Sequence, residues 1–181
     1  EAGYDVASLG NHEFDNDFPR LYDVIATARY DYLCTNLYHA NSEHQPTTRF
    51  VQPSKIFNFK NCKLGVVGIL TPSTVSDSTP EFFEDYYFKA GEELYEDVQS
   101  EVDHLKDEGC DVVIALAHLG SELEDDPDPS CSRALIENTN HIDALIDGHT
   151  HFYTPKWIVK NKEEQEAFGL PALLYVWSIT A

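Results

Sequence analysis

The chain has 181 residues, 42% hydrophobic and 12% aromatic, which suits one globular domain with a sizeable core and excludes a disordered segment. Its 32 Asp and Glu against 12 Lys and Arg give a net charge of −20. That excludes a nucleic-acid polymer as substrate, because gripping a phosphate backbone takes clustered Lys and Arg. The longest apolar runs, Leu64–Leu70 and Val112–Leu119, fall well short of the roughly 20 residues of a membrane span, so no transmembrane segment is expected in this chain.

Tyr4–Leu9 is a short apolar run closed by Gly10 and reads as a buried strand. Phe18, Leu21, Ile25 and Ala28 recur at helical spacing, with Asp17 and Pro19 as a start signal. Tyr32–Leu37 is the next predicted strand, and the polar, turn-rich His39–Thr48 a surface loop. Phe50–Phe59 and Lys63–Leu70 flank Lys60-Asn61 as a hairpin, and Thr71–Pro80 is a Ser/Thr/Pro loop. Leu94, Val98, Val102 and Leu105 mark one face of a helix over Gly91–Glu108, stopped by Gly109.

Asp111–Ala117 is then a strand with His118 at its carboxyl end. Glu122–Pro129 is an acidic loop, Ser132–Glu137 a short helix, Ile142–Ile146 a strand and Leu173–Trp177 the last strand. Strand–helix alternation implies an α/β fold with parallel strands, and the hairpin makes the sheet mixed. No linker divides residues 1–181, so one domain is expected. Because a core strand already begins at residue 4 and the chain holds no Met, it is expected to be part of something longer. Cys34, Cys62, Cys110 and Cys131 have no C-x-x-C spacing, which argues against a cysteine zinc site; each suits a small buried apolar position equally well.

Three motifs carry the chemistry: Gly10-Asn11-His12-Glu13-Phe14-Asp15, Ala117-His118-Leu119-Gly120 and Asp147-Gly148-His149-Thr150-His151. Each ends an apolar, strand-like run, on the edge where open α/β sheets hold ligands. Asn11 offers a neutral carbonyl oxygen to a hard or borderline metal. His12 and Asp15 are close enough in sequence for the carboxylate to orient the imidazole. His149 and His151, at i and i+2, point the same way if the backbone is extended. The simpler alternatives are a helix start merely capped by Asn11 or Asp15, and structural histidines at strand ends. Four candidate ligands on one predicted edge weigh against them.

These strings resemble the calcineurin-like metallophosphoesterases, in particular the 5'-nucleotidase branch. The first looks like that branch's G-N-H-E-F-D string, the last like its G-H-x-H motif, and Ala117–Gly120 like the single-His motif between them. Thr71-Pro72 is also similar to a segment of these enzymes. The resemblance implies an α/β/β/α sandwich with a mixed sheet, incomplete at its N-terminus. It implies that Asn11, His118 and His149 bind one divalent ion and His151 a second, zinc or manganese. It also implies that Asn11 and His12 meet the substrate, with His12, oriented by Asp15, stabilising charge as the ester bond breaks.

The family's D-x-H and G-D-x-x-D motifs are absent here, as is the C-terminal nucleotide-binding domain of the branch. The segment alone is therefore expected to be inactive. The activity the resemblance implies for the parent is hydrolysis of nucleoside 5'-monophosphates, a small-molecule substrate. Cyclic-nucleotide or nucleotide-sugar hydrolysis on the same scaffold, or a non-catalytic binding fragment, are the alternatives. An extracellular, periplasmic or cell-surface location follows from the resemblance only.

Overall fold

The structure is a computed structural model that describes residues 3–16, 18–120, 129–151 and 157–171. In chain order it comprises β1 (Val6–Ser8), α1 (Phe18–Thr27), β2 (Asp31–Leu33), β3 (Leu37–Ala40), β4 (Pro46–Arg49), β5 (Ser54–Phe59) and β6 (Cys62–Leu70). There follow α2 (Thr74–Asp77), β7 (Tyr86–Phe88), α3 (Glu92–Asp107), β8 (Val112–His118), α4 (Ser132–Asn138), β9 (Ala144–Asp147), β10 (Trp157–Lys160) and β11 (Glu166–Pro171). Single 3-10 turns occupy Asn11–Phe14 and Pro80–Phe83. Among the described residues no helix is long and apolar enough to cross a membrane.

The main sheet has the order β10-β11-β9-β8-β6-β5, with parallel pairings at its centre and antiparallel hairpins at both edges. The predicted mixed α/β sheet is therefore the observed one. β6 is buried on both faces, as a central strand must be. Its Val67 and Ile69 join Val113, Ala115 and Ala117 of β8 under α3, whose Leu94, Val98, Val102 and Leu105 are all fully buried. Each such side chain contributes about 1.5–3 kcal/mol relative to exposure.

The parallel pair β1–β2 lies against the opposite side, on β6 and β8. This approach is very close at one point: a Cβ on Gly68 would stand 2.4 Å from Leu33 Cβ and 2.4 Å from Leu33 O. Beyond β1–β2, Phe18 and Leu21 of α1 share a second core with Leu9, Phe14, Cys34, Leu37, Phe50, Leu70 and Phe83. The layers are thus helix, sheet, sheet, helix. Cys34, Cys110 and Cys131 are buried, in keeping with the small apolar role.

Several expectations are corrected. The predicted strand Tyr32–Leu37 breaks into β2 and β3, which belong to different sheets. The break occurs because Thr35 donates its N–H to Gly68 O at 2.8 Å and buried Asn36 bonds the backbone of Leu70. The chain crosses the sheet here instead of continuing along it. His39–Thr48 is not one loop: its ends pair in the antiparallel β3–β4 unit, around a turn in which Asn41 Oδ1 accepts the N–H groups of Glu43 and Gln45. Thr71–Pro80 contains α2, while β7 and the β10–β11 hairpin have no counterpart in the predicted elements. Asp17, Leu173–Trp177 and all but the last residue of the acidic loop Glu122–Pro129 lie outside the described residues.

A buried ionic hub fastens α3 to the three-stranded sheet β4-β3-β7. Asp97, 6% exposed, accepts from Tyr38 Oη at 2.8 Å, Lys89 Nζ at 2.9 Å and Arg49 Nη2 at 3.1 Å. Asp97→Ala removes the acceptor shared by Lys89, Arg49 and the Tyr38 phenol, leaving Arg49 its longer contact with Glu101 at 3.8 Å, and is expected to cost about 3 kcal/mol. A fall in the urea midpoint of unfolding checks this. An unchanged midpoint would show that the hub does not hold the layers.

Candidate active site

The first motif is a turn anchored from below. Leu9 is fully buried and donates its N–H to Leu33 O, and the chain then bends into the 3-10 turn Asn11–Phe14. Glu13 Oε2 accepts the Gly10 N–H at 2.7 Å, closing the turn on itself. Burial pushes the Glu13 carboxyl above its ordinary value, and the bonds from the Gly10 and Glu13 N–H groups pull it back. Phe14 is sunk among Phe18, Phe50, Phe83 and Phe88. The buried phenylalanine anchors the turn and the half-buried glutamate closes it, leaving His12 exposed and Asn11 half-buried beside it. His12 Nδ1–H donates to Asp15 Oδ2 at 3.0 Å, with the two side chains 51% and 41% exposed. A carboxylate can only accept, so the proton sits on Nδ1 and Nε2 is left as the ring's working atom.

His118 closes β8 and reaches the first motif directly. Its Nε2 lies 2.9 Å from Asn11 Oδ1, across 107 residues of sequence. Glycines flank this imidazole: a Cβ on Gly10 would stand 3.2 Å from its Cε1, and one on Gly148 3.2 Å from its Nδ1. Burial first, then the nearby His149, His12 and His151, pushes the His118 pKa down to about 4. The ring is therefore neutral near physiological pH.

Asp147 ties the second motif to the third. Its Oδ1 accepts the N–H groups of Leu119, Gly120 and Gly148 at 2.9, 3.2 and 2.8 Å, and its Oδ2 accepts from Ser132 Oγ at 2.6 Å. Burial raises the Asp147 carboxyl above its ordinary value against these four bonds. Beyond it the backbone is not extended: His149 and His151 have φ of 85° and 57°. The i, i+2 argument therefore fails, because it needs a pleated strand. The His149 ring lies 5.2 Å from that of His118, whereas His151 is exposed.

The structure thus gathers Asn11, His118 and His149, sets the His12–Asp15 dyad beside them, and leaves His151 at the rim. Among the described residues no three His, Cys, Asp or Glu side chains gather closely enough to enclose an ion by themselves; the converging group includes an asparagine. Its donors nevertheless fit a borderline divalent ion. Ligation needs a neutral imidazole, which His118 is, and an amide oxygen beside it, which Asn11 supplies. Two residues near the group were not singled out in the sequence. Asp77 Oδ2 lies 4.0 Å from His149 Nε2, and Ser78 Oγ donates to Phe14 O at 2.7 Å. Only their place beside Thr71-Pro72 hinted at them. A cavity of about 440 Å³ lies elsewhere, lined by Pro72, Val75, Phe83 and Phe88 among others, and includes none of the motif residues.

Residues 2–153 match the calcineurin-like phosphoesterase family, and the chain belongs to it. Within that family it is similar to a 5'-nucleotidase of Diplobatis ommata, with 31% identity over 157 residues, 85% of this chain and 25% of the relative. A snake venom 5'-nucleotidase of Gloydius brevicauda is 30% identical over 152 residues, 83% of this chain and 24% of that protein. The crystal structure of a 5'-nucleotidase precursor from Thermus thermophilus shares the fold, with a TM-score of 0.72 at 24% identity, over 93% of this chain and 33% of that one. The chain spans about a quarter of the length of these curated relatives.

Proposed function

We propose that this chain forms part of the catalytic domain of a two-metal phosphoesterase that hydrolyses nucleoside 5'-monophosphates to nucleoside and phosphate. The observation that carries the reading is the meeting of Asn11 Oδ1 and His118 Nε2 at 2.9 Å with His149 alongside. Asn11, His118 and His149 would hold one divalent ion, zinc or manganese, and His151 would contribute to a second. When bound, such ions polarise the phosphoryl oxygens and make water a nucleophile near neutral pH. The protein's neutral ligands leave the full positive charge of the first ion available. His12, its Nδ1–H held by Asp15, would when protonated on both nitrogens donate Nε2–H to the phosphate ester and stabilise charge on the departing oxygen. Asn11, next to it, also meets the substrate.

The net charge of −20 supports a small ester as substrate, since bound cations can invert the potential locally while the surface repels polyanions. Similarity to a venom 5'-nucleotidase supports a location outside the cytoplasm. Phosphate release from nucleoside 5'-monophosphates by the full-length protein, abolished by a chelator, is the test. Absence of release across a nucleotide panel with zinc or manganese supplied would refute the reading. The residues of this chain supply three neutral donors to one ion and a single donor to the other. By itself it is expected to bind at most one divalent ion, weakly. Calorimetry showing two tightly bound ions per chain would contradict that assignment of ligands.

A further inference from the structure

We infer that residues 71–78 are a fourth element of this site, and that Asp77 is the positioning residue for His149; the inference rests on the metal-binding role proposed above. The segment touches all three motifs. Thr71 donates its N–H to His118 O at 3.0 Å, Ser78 Oγ donates to Phe14 O at 2.7 Å, and Asp77 Oδ2 faces His149 Nε2 at 4.0 Å. A single short stretch therefore reads the position of each motif relative to the other two.

The carboxylate of Asp77 is itself held. Ser73 Oγ donates to Asp77 Oδ2 at 2.7 Å, Asp77 N–H donates to Ser73 O at 2.8 Å, and Thr71 Oγ1 lies 3.1 Å from Ser73 Oγ. This chain of hydroxyls runs back to Thr71, the residue bonded to the His118 carbonyl. His149 needs such a partner. Its backbone, at φ 85°, lies outside the strand, so the sheet's pleat does not aim its ring. At 4.0 Å the carboxylate is beyond hydrogen-bond distance of the ring, and the side chains of Asp77 and His149 are 39% and 23% exposed, so solvent screens its effect in part. A carboxylate on the Nε2 side favours the tautomer with its proton on Nε2. That leaves the Nδ1 lone pair for an ion and raises its basicity.

The test is zinc affinity, measured by titrating the metal-stripped full-length protein against a chelating dye. Asp77→Asn keeps the shape of the side chain and an oxygen for Ser73, and removes only the charge. It is expected to weaken zinc binding about tenfold, the lower end for loss of a partner behind a metal ligand. Asp23→Asn, an exposed change of equal charge on α1, is expected to leave affinity unchanged. Turnover by Asp77→Asn should recover in excess zinc, which a folding defect would not do. Ser73→Ala, which frees the carboxylate without removing it, should lose about threefold, less than the tenfold expected for a removed partner. It decides the matter if Asp77→Asn fails to fold. Unchanged zinc affinity in Asp77→Asn, or an equal loss in Asp23→Asn, would overturn the assignment while leaving the metal site standing. A wild-type protein that binds no zinc would remove both.

Discussion

Gly68→Ala is expected to lower stability by on the order of 3 kcal/mol, at the upper end for an overpacked core. The new methyl would stand 2.4 Å from both Leu33 Cβ and Leu33 O and 2.5 Å from the Leu33 carbonyl carbon. Most of that obstruction is backbone, and the chain just beyond β2 is tied to β6 by the Thr35–Gly68 hydrogen bond, so no rotamer change relieves it. The pair β1–β2 would have to lift off the main sheet, taking Leu9 and the Asn11–Phe14 turn with it. Gly65 in the same strand provides the contrast. A Cβ there meets the ends of Leu105 at 3.0 Å and Cys110 Sγ at 3.2 Å, side-chain atoms that can shift. Urea unfolding of the two variants should therefore separate them, with Gly68→Ala much the weaker. Equal midpoints would mean the two sheets are not locked at Gly68.

His12→Ala in the full-length protein is expected to cut phosphate-ester turnover by about 10²–10³-fold, the usual effect of removing one preorganised group that stabilises developing charge. Metal content should not change, because His12 bonds Asp15 and not the Asn11–His118–His149 group. Nor should the fold: the side chain is 51% exposed and its neighbours Phe14 and Glu13 provide the anchorage. Metal analysis alongside kinetics decides the point. Loss of metal together with activity would make His12 a ligand and dismantle the division of labour between the dyad and the metal group.

The extent to which the sequence foretold this site differs by residue, and the differences have physical causes. Asn11, His12, His118 and His149 were legible because each terminates or follows a buried apolar run, and strand ends in an α/β sheet collect on one edge. The His12–Asp15 pair was legible because three residues of separation fit one turn. His151 was misjudged in geometry, since reading i and i+2 as co-directional assumes an extended backbone that the left-handed conformations of His149 and His151 exclude. Asp147 stands inside the third motif, but its four accepted hydrogen bonds come from groups up to 28 residues away, which no local pattern encodes. Asp77 sits in a stretch without periodicity, where only the nearby Thr71-Pro72 gives any local hint of it.

Much the same division runs through the fold. The α1 and α3 stripes, the β5–β6 hairpin and the strand before His118 are set by local periodicity and turn chemistry, so the amino-acid order alone determined them. It also determined which residue types stand at the sheet edge, and with them the class of chemistry. Tertiary structure decided where β2 ends and β3 begins, because that depends on Asn36 and Thr35 bonding to a strand more than thirty residues away. It likewise decided that Asn11 meets His118, that two glycines clear the space around the ring, and that Asp77 faces His149. Such contacts arise only when separate layers pack, and a close approach between layers leaves no periodic trace in the chain.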